Sequence, residues 1–351
     1  MNKAKGMRGI KSAGYNKQLW IGIGISIFLL YFLFRKVDIR QLLAAFTEMD
    51  YRYLPAAVTV TFAGYYLRAV RWKYLLIPIK NTAMRNLFPA TIIGYMANNI
   101  LPARLGEIVR AYVLGDKEQI EKSAVFATLV LDRLLDGLSV LILLVITLFT
   151  IKLPTGMAGV QESLVYGGYV SLAACLLLAV FLAVIKLNMS WVLLFIGRLL
   201  KPFPERFTGK VLPLLGSFID GIRFSSRPLH IMALCVSSAV IWAMAVWTVD
   251  LALHAFGIAL PVTAVMFILI FLVIAVMVPA SPGSVGTYHF ACVYALMTFN
   301  LPKEKALSVA LVIHAINFFP VIFLGLYYLV RDRISLLEVK AVSVPQGPHI
   351  D

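Results

Sequence analysis

Stretches of roughly twenty apolar residues constrain this chain more than any other feature. The hydrocarbon core of a bilayer is about 30 Å thick, and a helix crosses it in roughly 20 residues. Residues 18–34, 54–77, 124–151, 164–186, 229–256 and 305–330 supply such runs. With 61% hydrophobic and 14% charged residues, the chain has too little polar surface to cover a soluble fold. We read it as an all-α integral membrane protein with six transmembrane helices. Two further apolar stretches, 87–118 and 262–300, are interrupted, and neither half of either is long enough to span. Each is read as a re-entrant helical pair that dips into the bilayer and returns to the same side. Irregular backbone at that depth survives only where protein or trapped water satisfies it, so two breaks imply an internal cavity.

The sign of the loops sets the orientation. The formal net charge is +15. Most Lys and Arg fall in residues 1–17, around the end of the second helix (Arg68, Arg71, Lys73, Lys80, Arg85), in 187–228, and after residue 330. The positive-inside rule then puts both termini in the cytoplasm of a cell inner membrane. It also accounts for the basicity without nucleic acid as a partner. The first apolar run ends in Phe34-Arg35-Lys36 with no small-residue cleavage site, which predicts a retained signal anchor. Within the linker, Phe207, Val211, Leu214 and Phe218 share one helical face, predicting an interfacial helix bent at Pro213. Residues 332–351 read as a disordered tail. Cys175, Cys235 and Cys292 sit in apolar segments without metal-like spacing. No cofactor or metal is expected.

The two broken segments resemble each other. Pro102, Gly106 and Glu107 form Pro-x-x-x-Gly followed by a polar residue, and Pro282, Gly286 and Thr287 repeat it 180 positions later. Around both, the order is helix, helix, broken pair, helix. One membrane domain, 18–331, therefore reads as two inverted-topology repeats, 18–151 and 164–330, of the kind many transporters use.

The breaks also carry the polar residues. Ser281 and Pro282 suit the N-cap and first position of a half-helix, and Pro102 can open the other. Opposed half-helix N-termini favour an anion, with Arg104 adding fixed positive charge. Arg104, Glu107 and Arg110 lie on one face at three-residue spacing. Asp132 and Asp136 share a face of the third spanning helix, with Arg133 beside them. Asp132 falls about 12 Å into that helix, at ~1.5 Å per residue. Ionisable groups at depth cost roughly 2.5–3.5 kcal/mol each and persist when paired or used. An Arg133–Glu107 pair is one structural reading; a polar cavity lining is the functional one. Asn98, Asn99, Gly283, Ser284 and His289 complete the candidate substrate-binding set. His289 is either a packing residue or a switchable charge, and His254 and His314 have weaker claims.

At these residues the chain resembles the lysylphosphatidylglycerol synthase transmembrane-region family. The motifs are Asn99 to Arg110, Asp132 to Asp136, and Ser281 to Gly286, and the likeness covers roughly 18–331. The resemblance implies a flippase-like membrane domain similar to that of the multiple peptide resistance factor. The family's second motif usually carries a Glu where this chain has His289. The synthase member also has a soluble transferase domain after its membrane region; no such domain follows residue 331 here, so lipid synthesis is not expected.

The resulting expectation is a flippase that moves an anionic phospholipid or polyprenyl-phosphate-linked lipid between leaflets, with no catalytic residues. Membrane lipids are its expected partners, with a separate lipid- or glycan-modifying enzyme or a homo-oligomer as further possibilities. The alternatives are a membrane transferase using Asp132, Asp136 or Glu107, and an accessory subunit of a lipid synthase. Against the transferase, the sequence has no Asp-x-Asp, His-rich cluster or nucleotide loop.

Overall fold

The computed structural model describes residues 23–35, 37–101, 105–151, 158–187, 227–277 and 281–334. The basic tail 1–17, Pro102, Arg104, the linker with its interfacial helix, and the tail from residue 335 lie outside the described residues.

Every regular element among the described residues is helical. In chain order they are α1 (Ile23–Phe34), α2 (Ile39–Thr47), α3 (Tyr53–Leu76), α4 (Met84–Ile100), α5 (Gly106–Glu118), α6 (Lys122–Thr150), α7 (Ala158–Leu187), α8 (Pro228–Ala255), α9 (Val262–Met277), α10 (Thr287–Met297) and α11 (Lys303–Arg331). A single 3₁₀ turn, Pro282–Ser284, separates α9 from α10. Both interrupted stretches are broken at the expected places.

Two helices, α8 and α11, are long and apolar enough to cross a membrane by length and composition. α3 and α6 have the length, at 24 and 29 residues, but carry charge in mid-helix. Large apolar side chains face outward: Val330, Tyr166, Leu177, Phe323 and Met277 are all exposed. Polar groups go the other way, with Arg71, Arg110, Asp132 and Thr128 buried. That is the pattern of a chain whose solvent is lipid.

α2 departs from expectation, since 35–53 reads as a loop. Asp38 caps it, its Oδ1 accepting from the Arg40 and Gln41 N–H groups at 2.8 and 3.4 Å. The helix packs on α11.

Packing follows an exchange rule. α4 packs on α5, as α9 does on α10. α5 packs on α6, as α10 does on α11. α4 crosses to α11, as α9 crosses to α6. α3 and α8 lie against each other between the two sets. The buried apolar residues form two clusters. One centres on α3, α4, α5 and the first half of α6 around Trp72, Leu87 and Leu114. The other centres on α8–α11 around Leu253, Ile268, Cys292 and Ile313.

Candidate functional site

The first broken pair is closed by glycine. A Cβ on Gly94 would sit 2.0 Å from Arg110 Cγ, and one on Gly106 would sit 2.1 Å from the Gly94 carbonyl oxygen. Only hydrogen at both positions lets α4 and α5 meet this closely. Asn98 then caps α5: its Oδ1 accepts from the Gly106 N–H at 2.7 Å, and its Nδ2 donates to Glu107 Oε1 at 3.3 Å. One of the N–H groups expected to face an anion is thereby occupied by the chain itself.

Beside this break lies a buried ionic cluster. Arg71, fully buried, donates from Nε to Asp132 Oδ1 at 2.9 Å and from Nη2 to Asp136 Oδ1 at 2.7 Å. Its Nη1 donates to Ser238 Oγ on α8 at 3.1 Å. Arg68 lies 3.3 Å from Asp136 Oδ2. Arg133 lies 3.2 Å from Asp136 Oδ2 and 3.5 Å from Glu107 Oε1, and donates to the Tyr95 hydroxyl at 2.9 Å. The guanidinium groups of Arg68, Arg110 and Arg133 all stand within 5.8 Å of the Tyr95 ring, inside cation–π range. Arg110 also lies 4.3 Å over Trp72, whose indole N–H donates to Thr128 Oγ1 at 2.9 Å.

The cluster is not neutral. Among the described residues, four arginines face three acidic side chains, a formal excess of one positive charge. Arg110 is the least satisfied member. Its closest acceptors, Thr91 Oγ1 and Asp132 Oδ2, are both 3.5 Å away. Its Nε and Nη1 have no hydrogen-bond partner among the described residues. Each buried unpaired donor costs about 1–3 kcal/mol. Chemically, the cluster can accept one further anion.

The second break has different chemistry. Ser281 was expected to cap a half-helix beginning at Pro282. Instead the helix begins at Thr287, because Gly283 and Gly286 adopt φ of +74° and +100° and turn the chain before it can coil. Ser281 Oγ donates to the Val285 carbonyl at 3.0 Å and accepts from Ser26 Oγ at 2.9 Å. The Ser281 N–H donates to Ser26 Oγ at 3.2 Å. Ser284 accepts at its carbonyl from Thr287 Oγ1 at 3.2 Å.

His289 closes the turn through His314. The Gly286 N–H donates to His289 Nδ1 at 3.5 Å, His289 Nε2 lies 3.2 Å from His314 Nδ1, and His314 Nε2 lies 3.0 Å from the Gly283 carbonyl oxygen. An N–H at one end needs an acceptor, and a carbonyl at the other needs a donor; neutral rings with hydrogen on Nε2 satisfy every contact in this series. His314, ranked below His289 from sequence, is its direct partner.

The structure therefore brings Asn98, Glu107, Arg110, Asp132, Arg133 and Asp136 together, and Ser281, Gly283, Ser284, Gly286 and His289 into a second group. Asn99 touches the second group through its carbonyl: a Cβ on Gly283 would lie 3.6 Å from it. Arg68 and Arg71 were assigned to a cytoplasmic basic cluster and are instead buried partners of the aspartates, at 16% and 0% side-chain exposure. Their three-residue spacing puts both on one helix face, as the four-residue spacing of Asp132 and Asp136 does on α6, and that was the available signal. Tyr95 gave none.

The family described as "Lysylphosphatidylglycerol synthase TM region" matches residues 19–325. The chain is similar to a UPF0104 membrane protein of Methanothermobacter thermautotrophicus, 28% identical over 69% of this chain and 74% of that one. It is similar to a UPF0104 membrane protein of Pyrococcus horikoshii, 22% identical over 92% and 99%. It is also similar to glycosyltransferase AglD of Haloferax volcanii, 22% identical over 84% of this chain but only 51% of that protein. No solved structure matches.

Proposed function

This chain belongs to the lysylphosphatidylglycerol synthase transmembrane-region family and is a helical membrane protein, and from that premise we propose that it moves an anionic lipid between leaflets. The cargo class is an anionic phospholipid or a polyprenyl-phosphate-linked lipid. One observation carries the reading: a buried cluster with one positive charge to spare and an under-paired Arg110. A phosphate offers the acceptors that Arg110 lacks. Asn98 and His289 occupy N–H groups at the two half-helix starts. That shifts the weight of head recognition from the helix ends to the guanidinium groups.

The transport architecture we propose has six spans and two re-entrant pairs, in two inverted repeats, within the plasma membrane and with both termini cytoplasmic. Support for the repeat comes from the packing exchange of α3 with α8, α4 with α9, α5 with α10 and α6 with α11. An exchange that leaves the contacts unchanged is what a pseudo-two-fold axis requires. The cluster lies near the middle of α6, with Asp132 and Asp136 about 15 and 21 Å from its first residue.

The test is exchange of labelled anionic lipid in proteoliposomes. Wild-type protein should exceed protein-free vesicles, and Arg110→Gln should lower the rate about tenfold, equivalent to ~1.4 kcal/mol. A wild-type rate equal to that of empty vesicles across several anionic lipids sinks the proposal.

The likeness to AglD favours one second reading, a part in lipid-linked glycan transfer. In such a role this chain fits an accessory to a separate enzyme better than a transferase, since Asp132 and Asp136 are both engaged by guanidinium groups. Copurification of such an enzyme, with Arg110→Gln fully active in cells, would favour that role.

A further inference from the structure

A lipid-facing groove of about 540 Å³ runs between α6, α8 and the start of α9. Its walls are mainly aliphatic and aromatic, with Leu138, Ile142, Val246 and Trp247 among them; Ser139 also lines it, and Asp250 lines it twelve residues along α8 from Ser238. On α6 it extends from Leu135 to Ile146, about 17 Å at ~1.5 Å per residue. The groove is therefore long enough to take one hydrocarbon chain, with its Leu135 end level with the ionic cluster on α6.

Its inner end is not apolar. Ser238 lines it, and its Oγ accepts from Arg71 Nη1 at 3.1 Å. Trp242 lines it too, with its ring 5.7 Å from the Arg68 guanidinium. Trp242 is thus the partition between the groove and the ionic cluster. Its buried indole N–H has no hydrogen-bond partner among the described residues. A buried donor left open next to a charged cluster needs an explanation.

We propose that this groove holds one hydrocarbon chain of an anionic phosphate-bearing lipid, with the head at the Ser238–Trp242 end. The apolar walls bind the chain without regard to head type. Selection comes from the excess positive charge behind the floor: Arg68 and Arg71 attract an anionic head, and Trp242 is the side chain that head displaces to reach them. The inference rests on the reading of the cluster as an anion site, and it adds the side from which the lipid arrives.

The full chain, purified in detergent, is offered equal amounts of dipalmitoyl phosphatidylglycerol and dipalmitoyl phosphatidylcholine in mixed micelles. Retained lipid is counted by native mass spectrometry. Wild type should retain phosphatidylglycerol about tenfold over phosphatidylcholine, and Ala243→Trp, which fills the groove from an exposed wall position, should cut that retention about tenfold at unchanged Tm. Trp242→Phe, which keeps the ring and removes the N–H, should narrow the preference while keeping the chain bound. Equal retention of the two lipids by wild type overturns the proposal. So does wild-type retention by both Ala243→Trp and Ala239→Trp. Binding as expected, combined with no leaflet exchange above empty vesicles, supports the groove and sinks the transport reading alone.

Discussion

The two broken helix pairs solve one problem with opposite chemistry. Both interrupt the backbone inside an apolar domain, and both must find partners for the freed N–H and C=O groups. The α4–α5 break borrows a neighbouring amide, Asn98, and stands beside four arginines and three acidic side chains. The α9–α10 break is neutral throughout: two serines, two histidines and two glycines in the left-handed region. Positions related by the sequence repeat therefore do not share a task. Charge concentrates at the first break; the second is held by neutral hydrogen bonds that reach Ser26 on α1 and His314 on α11.

That contrast predicts a gradient of stability effects, measurable as unfolding of the purified protein in detergent. Arg71→Ala should cost most, about 3–5 kcal/mol, because it strands Asp132 and Asp136 without their shared buried partner. Gly286→Ala should come next at about 1–3 kcal/mol. Its φ of +100° disfavours a side chain, and the new Cβ would lie 2.8 Å from the Ser26 carbonyl oxygen. If Gly286→Ala proved costlier than Arg71→Ala, the ionic cluster would not be the stiffer of the two regions.

His314→Phe should cost about 1–2 kcal/mol. It keeps the ring shape but leaves the Gly283 carbonyl and His289 Nε2 without partners. His314→Gln, which can donate to the same carbonyl, should recover part of that loss; no recovery would mean the imidazole packs rather than bonds.

The smallest effect should come from the end of α11, outside both breaks. Burial raises the Asp332 carboxyl, but hydrogen bonds from Arg331 and Lys117, and their charges, outweigh it and hold the pKa below the usual range. A depressed folded pKa gives stability that is present above the unfolded value, ~3.9 for Asp, and lost as pH falls through the folded value. Asp332→Asn should therefore cost under about 1 kcal/mol at neutral pH, and the difference from wild type should vanish in acid. A constant difference across that range would assign the effect to packing.

Much of this was legible in the chain. The helices, the two interruptions near Gly106 and Gly286, and the burial of Asp132 and Asp136 follow from apolar run length and helical spacing. The short helix over Ile39–Thr47 was not, because a capped amphipathic turn among charged residues looks like a loop. Arg68 and Arg71 were misassigned because the positive-inside rule counts charges near helix ends without knowing what they face. The start of α10 was misplaced because Ser281-Pro282 suits a cap, while two positive-φ glycines downstream defer the coil.

Sequence alone determined that this is an all-helical membrane chain with two interrupted pairs, since hydropathy and backbone propensity act over a few residues at a time. Tertiary structure decided which side chains complete each break. Arg71 reaches Asp132 across 61 residues, and Ser26 reaches Ser281 across 255. No local pattern encodes such partners, because their contact exists only once packed helices have excluded water and lipid and left each buried polar group to find another.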